Sequence, residues 1–219
     1  MDLHVHRIHE IYAEANALYH AVLPGLGSAA LGYEVMFGPP MIRPWLLIIG
    51  HQPGGDVSNP LPGSAGVPLY PSIFEYADAT YPLARRMRVV FPEQLRACTG
   101  LNANFLRAPN VTTFRETVRA DIRQKFDSFS IAATLEIIGL LEPPMICFLG
   151  FSTLGLFTTK SSDVLQTSGR GRVLVKSAPI DGIPALAMRH PTGGYNPPSN
   201  DELKQIGEYI VAERKRLLP

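Results

Sequence analysis

Five consecutive apolar residues, Trp45-Leu46-Leu47-Ile48-Ile49, run straight into Gly50-His51-Gln52-Pro53-Gly54-Gly55. An apolar run of that length between breakers is the pattern of a strand buried on both faces, as found in parallel sheets covered by helices. The stretch from Gly50 to Gly66 is too dense in glycine and proline to continue it, so a long loop leaves the strand's carboxyl end. Leu95 to Leu101 and Met145 to Leu149 read as further strands, and Arg172 to Val175 with Ile183 to Met188 as a strand pair. Helical spacing lies between and around them. Ile8, Ile11, Ala15, Leu18 and Val22 mark a helix over Leu3 to Leu23, ended by Pro24-Gly25. A helical pattern resumes near Pro71-Ser72. Another runs from about Phe114 to Leu141, with Thr113 and Glu116 in capping-box spacing. A last one carries Leu203, Ile206, Ile210 and Leu217 behind a Ser199 and Glu202 box. This alternation predicts an α/β fold: a three-layer α/β/α arrangement around a central, mainly parallel sheet of roughly four strands. In such a sheet, ligands bind at the carboxyl ends of the strands.

At 219 residues and 46% hydrophobic side chains, the chain is expected to form one domain over 1–219. Residues 1–44 would supply an N-terminal helix and lead-in, and 45–219 the core that bears the motifs. A net charge of +1 with 18% charged residues excludes the strongly basic arms of a general nucleic-acid binder, so any DNA contact must be local. The longest apolar stretches fall far below the roughly 20 residues that cross a bilayer, so no membrane partner is expected. Met1 to Glu10 carries charges and histidines where a secretory signal has an apolar run, and a cytoplasmic monomer is the expectation. Cys98 and Cys147 sit in apolar, strand-like segments, which suits reduced core residues.

Three strand ends carry unusual polar residues: Gly50-His51-Gln52-Pro53-Gly54-Gly55, Asn102-Ala103-Asn104 and His190-Pro191-Thr192-Gly193-Gly194-Tyr195. Glycine lets backbone approach a ligand and proline fixes a turn, so such loops can hold amides and side chains ready for a substrate. In a parallel sheet the three converge at one edge.

In order and spacing these segments resemble the uracil-DNA glycosylase superfamily. Leu46 through Gly54 is similar to its first motif, a strand followed by Gly-x-x-Pro. Asn102-Ala103-Asn104-Phe105-Leu106-Arg107-Ala108-Pro109-Asn110 resembles the motif in which Asn is followed five residues later by Arg, then by Pro and Asn. Pro144 to Gly150 is similar to the strand ending in Leu-Gly, and Gly171 to Thr192 to the hairpin leading into His-Pro-Ser. The resemblance covers roughly residues 45 to 215.

The resemblance implies a DNA glycosylase. Breaking the bond between base and deoxyribose places positive charge on the sugar and negative charge on the leaving base, which calls for donors to the base and a positioned water. His190 takes the place of the histidine that donates to a base carbonyl. Asn102, with one donor and one acceptor group, takes the place of the reader of a flipped base, and Asn104 competes for that role. Gly50, Pro53 and Gly54 would shape the backbone around the base. Just before Pro53, where several branches carry Asp or Asn, this chain has Gln52, which can orient water without accepting its proton. His51 occupies the position that is acidic in an iron–sulfur branch; it either replaces that acid or faces solvent. Two cysteines cannot ligate a four-cysteine cluster, so no cofactor is implied. Tyr70 is the stacking candidate, with packing as its alternative role. Pro191, Thr192, Gly193, Tyr195 and Arg189 would contact DNA, Tyr195 as a wedge, with Arg170, Arg172 and Lys176 as phosphate contacts or plain surface.

Two other readings compete. Asp2-Leu3-His4-Val5-His6 resembles the metal-binding start of amidohydrolase-like enzymes, but the segment merges into a helix and few further histidines follow, so no metal is expected. The second is a superfamily member with lost or altered chemistry that binds nucleic acid or nucleotides. Gln52 favours it; the contexts of His190 and Asn102 favour catalysis.

Overall fold

The computed structural model describes residues 3–55, 58–167, 171–193 and 196–217. Its strands are β1 (Leu46–Gly50), β2 (Cys98–Asn102), β3 (Ile146–Leu149), β4 (Ser162–Gln166), β5 (Val173–Ile180) and β6 (Ile183–Met188). They form a six-stranded sheet in the order β2-β1-β3-β6-β5-β4, against the roughly four strands expected. The first four in that order are parallel neighbours, and β5 and β4 extend the sheet antiparallel beyond β6. The strand with no counterpart among the five segments read from the sequence is β4, Ser-Asp-Val-Leu-Gln, which is largely exposed and pairs with β5 through an irregular register. An edge strand with little to bury shows no apolar run to read.

Every residue of β1 is buried, and its side chains alternate between two cores. Leu47 and Ile49 share one core with Ile8 and Ile11 of α1 (Leu3–Val22) and Ile137 and Ile138 of α5 (Ala120–Leu141). Leu46 and Ile48 share the other with Met87 and Val90 of α3 (Pro82–Val90) and Leu203, Ile206 and Ile210 of α7 (Asn200–Arg216). Each such aliphatic side chain contributes about 1.5–3 kcal/mol by leaving water. The helix α7 begins with the Ser199 and Glu202 capping box, both reciprocal bonds present. It approaches α3 so closely that a Cβ at Gly207 would lie 2.0 Å from the Val90 carbonyl oxygen.

Two local expectations are corrected. The stretch from Phe114 to Leu141 is two helices, α4 (Val111–Thr117) and α5, broken where Val118 and Arg119 are extended. Its cap is Asn110, whose side-chain oxygen accepts from the Thr113 N–H at 2.9 Å, so Thr113 lies inside the first turn and no box starts there. After Pro71-Ser72 the helix begins only at α2 (Glu75–Asp78), followed by α3.

The lead-in is more than a connector. Residues 34–37 run beside β2, with N–H donations from Glu34 to the Phe105 carbonyl, Asn102 to Val35, and Phe37 to Gly100. This covers the free edge of β2. It also carries Glu34 and Phe37 to the carboxyl ends of the strands. Cys98 and Cys147 are free and buried, and burial pushes both thiols up, away from nucleophilic use. None of the described helices is long and apolar enough to cross a membrane.

Candidate active site

Strands β2, β1, β3 and β6 are parallel, so Asn102, Gly50, Leu149 and Met188 all end at one edge of the sheet. The chain steps from β1 to β2 on one side and to β3 on the other. That reversal opens a crevice outside the strand ends, the usual ligand position in an open α/β sheet. The loop after β1 is held there by Ala103, Asn104 and Ala108, whose N–H groups donate to the carbonyls of Gly50, His51 and Pro53 at 2.8–3.2 Å. Arg107, 7% exposed, donates from Nη1 to the Pro60 carbonyl at 2.8 Å and lies 3.7 Å from the Glu34 carboxylate. The loop is therefore fixed along both flanks.

Two adjoining cavities occupy the crevice. The inner one, about 450 Å³, is lined by Asn102, Gln52, Pro53, Gly54, Glu34, Glu75, Phe37, Tyr76 and Tyr81, among others. The outer one, about 750 Å³, takes in Gly50, His51, Ser152, Arg189, His190, Thr192 and Gly193. Gln52, Gly54, Tyr76 and Leu83 line both. Both polar ends of the Gln52 amide are buried without a hydrogen-bond partner, which marks them for a ligand or water. A further cavity of about 750 Å³ opens near the amino ends of β3 and β6, around Met145, Pro184, Lys160 and Glu213. It lies at the end of the sheet opposite the three polar loops.

The histidines belong to the outer cavity. His190 is pushed down to about 4, chiefly by burial and then by nearby His51, so it is neutral at ordinary pH. Its Nδ1 faces the Thr192 N–H at 3.3 Å. His51 is also shifted down, by burial and then by Arg115, and its buried Nδ1 has no partner. It is half-buried, not turned out to solvent. Gly193 packs against His190: a Cβ there would lie 2.7 Å from Nδ1.

The two asparagines part company. Asn102, 3% exposed, lines the inner cavity and donates from Nδ2 to the Glu34 carbonyl at 3.3 Å. Asn104 spends its amide internally, donating to Asp127 and accepting from the Leu106 N–H at 3.0 Å. Tyr70 packs against Tyr12 and His9 of α1, its hydroxyl 3.2 Å from the His9 imidazole, and lines neither cavity. Three rings line the inner cavity, Phe37, Tyr76 and Tyr81, and the first two stack at 5.0 Å.

Arg189 donates to the Val173 carbonyl and lies over the Phe151 ring, and the Pro191 carbonyl accepts from Arg86 of α3 at 2.7 Å. Thr192 is exposed. Arg172 is engaged by Glu202 and the Asn196 carbonyl, and Lys176 lies 3.4 Å from Asp163. Tyr195 and Arg170 lie outside the described residues.

Glu34 and Glu75 were not legible as site residues. Burial pushes both carboxyls up, Glu34 to about 7 with Glu75 as the second cause. The Tyr81 hydroxyl bonds the Glu75 carboxylate. The usable signal was a lone acid in an apolar run, in Gly-Tyr-Glu-Val-Met-Phe and Ile-Phe-Glu-Tyr. No protein-family model matches the sequence, and comparison with curated proteins gives no match.

Proposed function

We propose that the chain is a DNA glycosylase of the uracil-DNA glycosylase type, a three-layer α/β/α hydrolase. It would remove a flipped, deaminated or damaged base, uracil among them, as the first step of base excision repair. The observation that carries the reading is the unpartnered Gln52 amide on the boundary between the two cavities. A nucleotide turned out of a duplex has a flat base on one side and a charged backbone on the other, joined by the bond to be cut. The inner cavity, with Asn102 and the Phe37 and Tyr76 rings, suits the base. The outer cavity, with Arg189, Thr192 and Gly193, suits the sugar and phosphates, and places Gln52 beside the scissile bond.

In this reading Gln52 orients the attacking water through its side-chain oxygen. Little proton transfer is needed while the bond to the base is breaking, so an amide suffices where a carboxylate would be stronger. Neutral His190 donates from Nε2 to a base carbonyl as charge gathers on it, and removing such a donor costs about 100-fold or more.

The test is incubation with single-stranded and duplex oligonucleotides bearing uracil, hypoxanthine, xanthine or an alkylated base, followed by alkaline cleavage of abasic sites. Strand cleavage at the modified base is expected. Binding without cleavage of any substrate would instead establish the second reading, a nucleic-acid or nucleotide-binding module. That alternative draws on Gln52 standing where a carboxylate would be the stronger base.

A further inference from the structure

We infer that the inner cavity selects a positively charged, N-alkylated purine over neutral uracil, because two carboxyl groups and two stacked rings face the base there with, among the described residues, one cation beside them. The inference rests on the glycosylase reading and names its substrate class.

Glu34 and Glu75 both line the cavity, and Arg107 beside Glu34 is the neighbouring cation. With both carboxyls ionised, the described residues leave one negative charge of the cavity uncompensated. Burial of both groups works against that charge, and Glu34 answers by holding its proton up to about 7. A ligand that brings positive charge and N–H donors replaces that proton. Uracil is uncharged and flanks its one ring N–H with two carbonyl oxygens, which ionised carboxyls repel. A methylated purine such as 7-methylguanine brings a delocalised cation, a flat ring for Phe37 and Tyr76, and an N–H edge that a carboxylate can accept from. The cavity volume of about 450 Å³ lies within the range that holds small ligands.

The same substrate fits the mild catalytic groups. In the hydrolysis the water oxygen bonds to C1′, the bond from C1′ to the base nitrogen breaks, and the bonding pair stays on the base and cancels its charge. The water's proton passes to solvent. A cationic base leaves neutral, so it needs no donor to a developing oxyanion and no strong base to drive the water. Gln52 then suffices to place the water, and the donor that His190 offers from the outer cavity matters less for this base than for uracil.

The closing experiment uses 7-methylguanosine, guanosine and uridine in calorimetric titrations of the full chain at pH 7. 7-Methylguanosine should bind at least tenfold more tightly than the other two, and Glu34→Gln and Glu75→Gln should each abolish that preference with the melting temperature checked alongside. Equal binding of the three nucleosides, or an unchanged preference in Glu75→Gln, overturns the inference; Glu75→Gln decides if Glu34→Gln does not fold. In parallel, release of free base from duplexes holding one 7-methylguanine or one uracil is followed by chromatography. Faster release of uracil keeps the glycosylase reading and overturns this one. Release of neither removes the glycosylase reading and leaves the titrations to decide what the cavity selects.

Discussion

The backbone N–H of Thr192 donates to Nδ1 of His190 at 3.3 Å. That bond occupies the lone pair of Nδ1 and leaves the imidazole proton on Nε2, so the neutral ring is a donor on its far side. Gly193 allows the arrangement, since a side chain there would press on the ring.

The pH behaviour follows from this ring. Its value of about 4 means that between pH 6.5 and 4 the unfolded chain binds a proton that the folded chain does not. The stability from His190 is complete above pH 6.5 and is lost as pH falls toward 4. Thermal melts should show the wild type losing more stability than His190→Gln between pH 7 and 4.5. Activity should show no loss from His190 between pH 6 and 8, and a fall as pH approaches 4. An activity step near 6.5 that vanishes in the variant would refute a neutral His190.

Gly193→Ala should displace the imidazole without opening the core. With a uracil substrate, whose departing carbonyl needs the donor, we expect base release to fall by about tenfold to 100-fold, up to the scale of a lost donor, while the melting temperature stays within about 2 °C. Crystal or NMR evidence of an unmoved His190 alongside full activity would contradict the packing argument.

Asn102 and Asn104 should separate cleanly. Asn104→Ala removes the acceptor of the buried Leu106 N–H and the amide donor to Asp127, and should cost about 1–3 kcal/mol of stability, with activity per folded molecule retained. Asn102→Ala should abolish base release in a protein that remains folded at assay temperature. The reverse pattern in paired melting and activity assays would exchange their roles.

Gln52 sets function against stability. Gln52→Leu removes two buried polar atoms that lack partners, so it should raise stability by about 1 kcal/mol while ending activity. A destabilised but active variant would show that the amide has a structural partner and no catalytic role.

Gly207→Ala opposes two effects on α7. Helix propensity favours Ala by about 1 kcal/mol, but its Cβ would meet the Val90 carbonyl at 2.0 Å, and overpacking costs about 1–3 kcal/mol or more. Backbone on the far side cannot yield as a side chain can, so overpacking wins. The melting temperature should drop by several degrees at unchanged activity per folded molecule.

How much of this was written in the sequence depends on how local the cause is. The apolar run of β1 followed by Gly50 and Pro53, the N-terminal helix and the Ser199 and Glu202 box are all set by neighbours within a few residues, and all are legible. The β5 and β6 hairpin is legible for the same reason. β4 is not, because its backbone bonds come from β5 and its side chains bury little. The site divides in the same way. Sequence order alone indicates that His51, Gln52, Asn102 and His190 follow strands, and a parallel sheet then gathers them at one edge. Which asparagine faces the cavity, why Tyr70 sits on α1, and how Glu34, Phe37 and Glu75 arrive from the lead-in and from α2 are decided by contacts between distant segments. A carboxyl becomes a site residue only when the fold takes water away from it, and burial is a property that no local pattern of residues carries.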